Sequence, residues 1–305
     1  MSIMSDSLTG LIAATFTPLH KDRSVDLPRI QPLVAHLVGQ GIAGLYVLGS
    51  TGEGGSLTYD ERCEVAAAFV QAANSQIPVI VQVGHESLRQ AQMLAAHAQE
   101  IGADAVSAVS PVYFKPESTE TLVDSMAQIA AGAPQLPFFY YHIPEVTGIR
   151  ANMADFLRLA GDRIPTFAGI KFTSTRIDEY QSCLELAEGR YQIFYGVDEM
   201  LLSSLTAGAR AAVGSTYNFA APIYRKLLTA YSSGDLPEAR RLQAQSQAIV
   251  RAFVPYGPRA AQKAIMGMIG MDCGPCRLPL TTLTPSATAS LRRALEDIGF
   301  FQWIA

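Results

Sequence analysis

The sequence predicts an α/β protein, a closed (β/α)8 TIM barrel followed by a C-terminal helical extension. Short β-type runs alternate with longer amphipathic segments eight times between residues 11 and 234, and short loops join them. Alternation of this kind favours a parallel sheet, and eight such units favour a barrel that closes on itself. After residue 234 the strand signals cease, and only helical periodicity remains.

Each predicted element follows from its hydrophobic period. The strands are short apolar runs, and the helices between them carry Ala, Leu, Gln and Glu at helical spacing. The predicted strands are 11–17, 43–48, 77–83, 105–109, 136–141, 166–172, 191–195 and 211–214. The predicted helices of the barrel are 27–40, 58–75, 87–101, 118–131, 151–160, 176–188, 199–207 and 222–233.

Residues at the ends of these segments support the boundaries. Thr58 precedes two acidic residues in a first turn, as an N-cap residue does. Glycine is common just after a helix, because it adopts a left-handed conformation at low cost. The glycines predicted to end helices are Gly41, Gly102, Gly161, Gly189 and Gly208.

The remainder of the chain is predicted to be helical, at 236–253, 259–270 and 285–298. No linker separates these segments from the barrel, and they are too short for a free-standing domain. We therefore predict a barrel over residues 1–234 and a helical appendage over 235–305, packed together as one structural domain.

The composition of the 305-residue chain excludes several classes of protein. With 49% hydrophobic residues the chain can bury one large core, which excludes disordered and disulfide-scaffold proteins. A net charge of −4 and the lack of a basic run argue against binding to nucleic acid or to an anionic membrane. Charged residues make up 16%, which is low for a soluble domain and suggests that other subunits bury part of the surface.

The start of the chain and the cysteines indicate a compartment. No basic segment precedes the apolar stretch at 8–18, and no run has the length of a membrane-spanning helix. We therefore predict a cytoplasmic protein whose four cysteines are reduced. Cys273 and Cys276 have the spacing of a redox or zinc pair, but no second ligand pair lies near them, and we interpret them as loop residues.

Polar groups collect at the ends of five predicted strands. In a parallel barrel the loops after the strands gather at one face, where the chemistry of the fold takes place. The segments concerned are 49–55, 140–144, 169–173, 196–199 and 214–218. We expect the reacting groups among these residues.

Lys171 is the most informative of these residues. It is one of five lysines and lies in the apolar run 167–172, where its ammonium would lose solvation. Burial lowers the pKa of a lysine, which frees the neutral amine to attack a carbonyl and form a Schiff base. Side chains alternate along a strand, which places Thr173 on the same face as Lys171. Gly169, beneath Lys171, leaves room for the lysine side chain. The alternative is a lysine at a strand end that pairs with a carboxylate or extends into water.

Further candidate groups follow the other strands. Tyr141 could relay protons beside an iminium, or it could be a core tyrosine whose hydroxyl has a partner. Ser50 and Thr51, with the neighbouring backbone N–H groups, form a nest suited to a carboxylate. Asp198 and Glu199 could accept hydrogen bonds from substrate hydroxyls, although Asp198 could instead cap the next helix.

Three other kinds of site are disfavoured. The five histidines are scattered and form no His-x-His or Glu-x-x-His set, so that no clustered metal ligands are expected. The segment Gly-Ser-Thr-Gly at 49–52 departs from the Gly-x-Ser-x-Gly spacing of serine hydrolases. No Gly-Lys-Ser/Thr follows it, as a phosphate-binding loop would require.

Five motifs, in this order, resemble the N-acetylneuraminate lyase branch of the dihydrodipicolinate synthase and sialic acid aldolase superfamily. They are Gly-Ser-Thr-Gly-Glu at 49–53, Tyr-His-Ile-Pro at 141–144, Gly-Ile-Lys-Phe-Thr at 169–173, Gly-Val-Asp-Glu at 196–199 and Gly-Ser-Thr-Tyr-Asn at 214–218. The resemblance extends from residue 11 to about residue 280, including Lys-Ala-Ile-Met at 263–266 and Arg-Leu-Pro-Leu at 277–280. It implies a barrel with a helical extension, a homotetramer, and class I pyruvate aldolase chemistry that needs no cofactor.

The resemblance also implies a role for each matching position. Lys171 would form the Schiff base, and Tyr141 would relay the proton. Ser50 and Thr51 would hold the carboxylate of a 2-oxo acid. The polyol and N-acetyl part of a sugar would bind to Thr173, Gly196, Asp198, Glu199 and Ser215. Tyr113, in Ser-Pro-Val-Tyr at 110–113, resembles a family tyrosine that a neighbouring subunit contributes.

One position separates this branch from the dihydrodipicolinate synthases. The synthases normally carry an arginine that binds the second substrate's carboxylate, and this chain has Val146 there. The pair Asp198 and Glu199 likewise suits hydroxyl donors and repels a dicarboxylate. The resemblance therefore implies cleavage of N-acetylneuraminate to N-acetylmannosamine and pyruvate, the expected small-molecule partners. The alternatives are another 2-oxo-3-deoxy sugar acid, a synthase-like condensation, or a barrel that binds such acids without catalysis.

Overall fold

The computed structural model describes residues 8–305, and its strands close into one parallel barrel. Each strand pairs in parallel with the next, and β8 pairs with β1, so that the sheet has no edge. The strands are β1 Gly10–Ala14, β2 Gly44–Val47, β3 Val79–Gln82, β4 Ala105–Val109, β5 Phe138–His142, β6 Phe167–Phe172, β7 Gln192–Tyr195 and β8 Ala211–Gly214. The predicted (β/α)8 barrel is confirmed.

Helices surround the barrel and continue beyond it. Those of the barrel are α1 Ile30–Gly39, α2 Tyr59–Ala73, α3 Leu88–Glu100, α4 Thr119–Ala130, α5 Pro144–Thr147, α6 Met153–Arg163, α7 Ile177–Ala187, α8 Leu201–Thr206 and α9 Tyr217–Ser232. The extension consists of α10 Leu236–Phe253, α11 Pro258–Met268, α12 Pro285–Asp297 and α13 Phe300–Ile304. Both α10 and α13 pack against α9, and α11 packs against α10 and α12. The division into two parts at residue 234 stays a prediction.

Most helix boundaries lie within three residues of the sequence prediction, and two departures have a structural cause. The expectation that Gly161 ends a helix is wrong, because α6 continues to Arg163. A Cβ at Gly161 would collide with the Tyr191 hydroxyl, so a larger residue there would displace the Tyr191 side chain. Helix α9 begins at Tyr217, earlier than predicted, and it accommodates an internal proline by bending at Ala220.

Alternation along the strands divides the core into an outer and an inner part. Side chains that point outward pack against the helices, while the others fill the barrel. Tyr141 on β5 pairs with Lys171 on β6, and Lys171 pairs with Phe194 on β7, so that Lys171 belongs to the inner layer. The buried apolar residues of that inner part are Ile12, Ala14, Tyr46, Ile80, Ala105, Phe139, Tyr141, Ile143, Phe194, Ala211 and Val213.

Candidate active site

Lys171 lies inside the barrel between two tyrosine rings. Its side chain is 4% exposed, and Nζ lies 3.8 Å from the centre of the Tyr46 ring and 3.9 Å from that of Tyr141. Burial lowers the pKa of Lys171, because the ammonium has lost its water. Within residues 8–305 Lys171 forms no ion pair. The alternative of a paired or water-exposed lysine therefore does not describe this side chain.

The backbone at Gly169 imposes a requirement of its own. It adopts φ +148, and a Cβ there would collide with the backbone oxygen of Gln192 on β7. Glycine is therefore required by the close approach of β6 and β7.

Tyr141 and Lys171 influence each other's protonation. Burial by itself raises the pKa of Tyr141, but the Lys171 ammonium and the Ser50 side chain outweigh burial and lower that pKa. The pKa values of the amine and the phenol are thus both lowered, and the protonation of each group depends on that of the other. Tyr46 behaves differently: burial raises its pKa well above the usual value, and its hydroxyl donates to Ser107 Oγ at 2.9 Å.

The loop between β2 and α2 carries two hydroxyls, and that of Ser50 interacts with Tyr141. Thr51 is buried, and Ser50 is half-buried. The hydroxyl of Thr17, in the segment that follows β1, donates to the carbonyl oxygen of Gly52 at 2.6 Å and holds the loop in place. A Cβ on Gly54 would collide with the Leu48 carbonyl, so the loop tolerates only glycine at that position.

Thr173 presents a free hydroxyl above Lys171. Its Oγ1 is buried and has no hydrogen-bond partner among residues 8–305. A Cβ on Gly196 would collide with that oxygen, which explains the glycine after β7. A buried hydroxyl without a partner is costly, and an incoming ligand atom would satisfy it.

Asp198 connects the loops after β7 and β8. Its Oδ2 accepts from the Thr216 backbone N–H at 2.8 Å and from Thr216 Oγ1 at 2.6 Å. The Tyr224 hydroxyl lies 2.8 Å from Thr216 Oγ1 and extends the network. Burial raises the pKa of Asp198 to about 6, although the hydrogen bonds from Thr216 oppose the shift. Asp198 makes no helix cap, so the capping alternative is wrong.

Ser215 and Glu199 contact the C-terminal helices. Gln262 Nε2 on α11 donates to Ser215 Oγ at 3.0 Å, and Arg259 donates to Gln262 Oε1 at 2.7 Å. Gln247 on α10 donates to the carbonyl oxygen of Glu199 at 3.1 Å. The extension therefore reaches two of the predicted substrate-binding positions.

Tyr113 lies apart from this buried cluster. Its side chain is 81% exposed on the loop between β4 and α4, and its ring packs edge-on against Phe114. Phe114 is 83% exposed. The two rings form an exposed apolar surface on this loop.

The cysteine pair also lies away from the cluster. Cys273 and Cys276 are buried, unpaired thiols in the segment between α11 and α12, as the loop interpretation requires. Burial raises the pKa of Cys273 to about 12 and that of Cys276 to about 11, so both remain protonated and weakly nucleophilic. Residues 8–305 contain no group of three or more His, Cys, Asp or Glu side chains positioned for a metal.

Several residues of the cluster escape the sequence analysis. Tyr46 could have been found from strand alternation, since its position in β2 faces inward. Three others lie within the quoted motifs but received no role there, because their partners lie far away in the chain; they are Glu53, Thr216 and Lys263. The rest carry no local signal. The residues missed are Tyr46, Glu53, Thr216, Tyr224, Arg259, Gln262 and Lys263.

Comparison with known proteins identifies the family. The sequence profile of the Dihydrodipicolinate synthetase family matches residues 7–298. The chain belongs to this family. N-acetylneuraminate lyase of Rattus norvegicus is 38% identical to this protein. The match covers 99% of this chain and 96% of the Rattus norvegicus protein. N-acetylneuraminate lyase of Xenopus tropicalis is 41% identical over 92% of the chain and 93% of its own length.

Solved structures of the dihydrodipicolinate synthetase family agree. Proteus mirabilis N-acetylneuraminate lyase has a TM-score of 0.93 and 39% identity, with 96% of this chain and 99% of that chain covered. N-acetylneuraminate lyase of Aliivibrio salmonicida has a TM-score of 0.93 and 37% identity, with coverage of 96% and 97%. The resemblance read from the five motifs is confirmed.

Proposed function

We propose that this member of the dihydrodipicolinate synthetase family is a class I pyruvate aldolase that cleaves N-acetylneuraminate to N-acetylmannosamine and pyruvate. The observation that carries the proposal is a buried Lys171 amine that lies 3.9 Å from the centre of the Tyr141 ring and has no ion pair among residues 8–305. Burial favours the neutral amine that Schiff-base formation needs. The lyases from Rattus norvegicus and Proteus mirabilis, which the chain resembles over almost its whole length, support the substrate.

The reaction begins with imine formation. The carboxylate of open-chain N-acetylneuraminate binds to the Ser50 and Thr51 hydroxyls and the backbone beside them. Neutral Lys171 attacks the C2 ketone, and loss of water leaves an imine. Once protonated, this imine accepts electrons from the C3–C4 bond. The Ser50 side chain interacts with Tyr141, which brings the carboxylate nest and the phenol together.

Carbon–carbon cleavage needs one proton to leave the C4 hydroxyl. Tyr141 accepts that proton, which passes through the substrate carboxylate and the Thr51 hydroxyl. The C3–C4 electrons move to the iminium as an enamine forms, and N-acetylmannosamine leaves as the aldehyde. Protonation at C3 and hydrolysis of the imine release pyruvate and restore the Lys171 amine.

The sugar part of the substrate binds to the loops after β6, β7 and β8. The unpartnered Oγ1 of Thr173 supports a contact with a substrate hydroxyl. Asp198 supports another, because both of its hydrogen bonds are made by Oδ2 and leave Oδ1 to accept. We assign Gly196, Glu199 and Ser215 to the same part of the substrate, as the motifs imply.

We also propose that the protein is a homotetramer in which Tyr113 enters the site of a neighbouring subunit. Val112, Tyr113 and Phe114 are consecutive apolar residues with exposed fractions of 40%, 81% and 83%. The Glu86 carboxylate accepts from the backbone N–H groups of Val112 and Tyr113 and holds the loop outward. Exposed apolar clusters of this kind are typical of subunit interfaces.

A cytoplasmic location is the last part of the proposal. All four cysteines are unpaired thiols, which is the usual state in a reducing compartment. Among residues 8–305, no helix combines the length and hydrophobicity that crossing a membrane requires.

A second candidate function is aldol chemistry on another 2-oxo-3-deoxy acid, or a synthase-like condensation. Val146 is 67% exposed and cannot bind a second carboxylate. Arg259, however, lies close enough to Tyr141 and Asp198 for charge interactions. Its guanidinium is a cation at the site that the motifs did not reveal.

Two measurements test the proposal. A coupled assay for pyruvate release should give far higher turnover with N-acetylneuraminate than with 2-keto-3-deoxygluconate, and the reverse order would favour the second candidate. Borohydride added in the presence of pyruvate should attach a stable adduct to the peptide that contains Lys171. An unmodified peptide would exclude Schiff-base chemistry and leave only a binding protein.

A further inference from the structure

A buried ion pair ties the loop between β2 and α2 to the C-terminal extension. Lys263 Nζ on α11 lies 2.6 Å from Glu53 Oε1, and the two side chains are 3% and 1% exposed. Lys263 Nζ also donates to the Pro275 carbonyl at 2.8 Å, and the Arg277 backbone N–H donates to Glu53 Oε2 at 2.8 Å. Each charge therefore has partners beyond its counter-ion.

Stability alone does not explain a pair of this kind. Removing two charges from water is unfavourable, and an apolar pair of similar volume stabilises a fold at least as well. A buried ion pair can, however, hold two segments of a chain in one relative position. Here those segments are the loop that carries Ser50 and Thr51, and helix α11.

The backbone of Glu53 makes the loop sensitive to this pair. The backbone of Glu53 has φ +53°, a left-handed conformation that residues other than glycine seldom adopt. Its N–H donates to the Ser50 carbonyl at 3.4 Å, and the Gly54 N–H donates to that of Gly49 at 3.2 Å. A displacement of the Glu53 backbone would therefore also displace Ser50 and its neighbours, which offer N–H and hydroxyl groups to the substrate carboxylate.

We propose that Glu53 and Lys263 are positioning residues for recognition of the substrate carboxylate. The ion pair holds the loop so that Ser50 and Thr51 present their groups to the carboxylate of a 2-oxo acid. The C-terminal extension thereby takes part in substrate recognition from both sides, because Gln262, the residue next to Lys263, binds Ser215. This inference rests on the proposed function.

The chain offers a matched control. Glu61 on α2 also pairs with a basic residue, Arg277, at 2.6 Å, and both side chains are largely buried. The Glu61 carboxylate does not contact Glu53, and Glu53 is bound by the Arg277 backbone. Glu61→Gln therefore removes one charge near the same loop and leaves the Glu53 pair intact.

The experiment measures how Lys171 is trapped by borohydride at rising concentrations of two carbonyl probes. Pyruvate carries the carboxylate, and hydroxyacetone replaces it with a hydroxymethyl group. In Glu53→Gln and Lys263→Met, the pyruvate concentration for half-maximal trapping should rise about tenfold, as expected for a misplaced charge-assisted hydrogen bond. The value for hydroxyacetone should stay within about twofold of wild type, and Glu61→Gln should leave both values unchanged.

Other results would contradict the inference. Equal losses for both probes, or an equal effect of Glu61→Gln, would mean that the ion pair serves the fold alone. If a single variant does not fold, the double variant Glu53→Leu/Lys263→Leu removes both charges together, and it should fold yet show the same selective loss for pyruvate. Lys263→Arg should recover part of the pyruvate response. A wild-type protein that pyruvate cannot trap would refute the proposed function itself, whereas variants indistinguishable from a trappable wild type would refute only this inference.

Discussion

Lys171 on β6 and Tyr141 on β5 are direct register partners, and both side chains point into the barrel. Neighbouring strands of a sheet lie about 4.8 Å apart, so the sheet itself brings the amine and the phenol together. Their relative position therefore depends on strand pairing, the most rigid part of the fold. Loops add the groups that bind the rest of the substrate.

Replacing Lys171 by methionine should abolish activity and stabilise the protein. Burial lowers the pKa of Lys171 below its unfolded value of 10.5, so the desolvated ammonium destabilises the folded protein at pH values below that pKa. The melting temperature of Lys171→Met should rise by about 2–4 °C at pH 7, measured by calorimetry. The difference should shrink as the pH approaches 10.5. A lower melting temperature across this range would argue against a desolvated amine.

Tyr141→Phe should separate the two halves of the reaction. The variant keeps the ring beside Lys171 but loses the phenolic proton acceptor. Pyruvate release from N-acetylneuraminate should fall by about 10²–10⁴-fold, whereas borohydride trapping with pyruvate should persist. Retained turnover would remove Tyr141 from the proton transfer.

Binding of the sugar should weaken as Asp198 becomes protonated. Its pKa is raised to about 6 by burial, so KM for N-acetylneuraminate should increase between pH 7 and pH 5. Asp198→Asn should have a higher KM at pH 7 without an inflection near 6. The folded pKa of Asp198 exceeds the unfolded value of 3.8, so protonation of this group stabilises the fold at low pH. This contribution to the unfolding free energy is lost as the pH rises through about 6. An inflection that survives in Asp198→Asn would have to come from another group.

Gly196→Ala should impair activity through Thr173. The added methyl group would collide with Thr173 Oγ1 and displace the hydroxyl assigned to the substrate. We expect kcat/KM for N-acetylneuraminate to fall by about 10–100-fold, since displacement by an ångström has effects of this size. Gly55→Ala is the control, because an added Cβ there has no neighbour within 4 Å. Equal activity of the two variants would mean that the site tolerates the shift.

Phe114→Asp should dissociate the proposed tetramer. A carboxylate at the centre of an apolar interface loses its water without gaining a partner. The molecular mass from sedimentation should fall from that of four subunits to that of fewer. Pyruvate release should decrease, because Tyr113 is lost from the neighbouring site. Val254→Asp alters another exposed apolar residue and should leave both unchanged. A wild-type monomer with full activity would refute the assembly.

Much of the candidate site can be read from local sequence. The inward orientation of Lys171 and Thr173 follows from strand alternation, and their burial follows from the apolar residues around them. The order of polar segments after the strands also predicts which loops meet at one face. Helix limits are less predictable: Gly161 has the residue type of a helix end, but its neighbour Tyr191 is distant in sequence.

By itself the sequence determines the barrel, the inner face of each strand and the amine–phenol pair, because strand period and parallel order are local properties that repeat along the chain. Only the tertiary structure decides that Lys263 meets Glu53, that Gln262 binds Ser215 and that Thr216 holds Asp198. These contacts depend on how α11 and the last βα unit pack over the barrel. The hydrophobic periodicity of the sequence does not predict that packing, because one buried polar residue leaves the hydrophobic pattern of its helix almost unchanged.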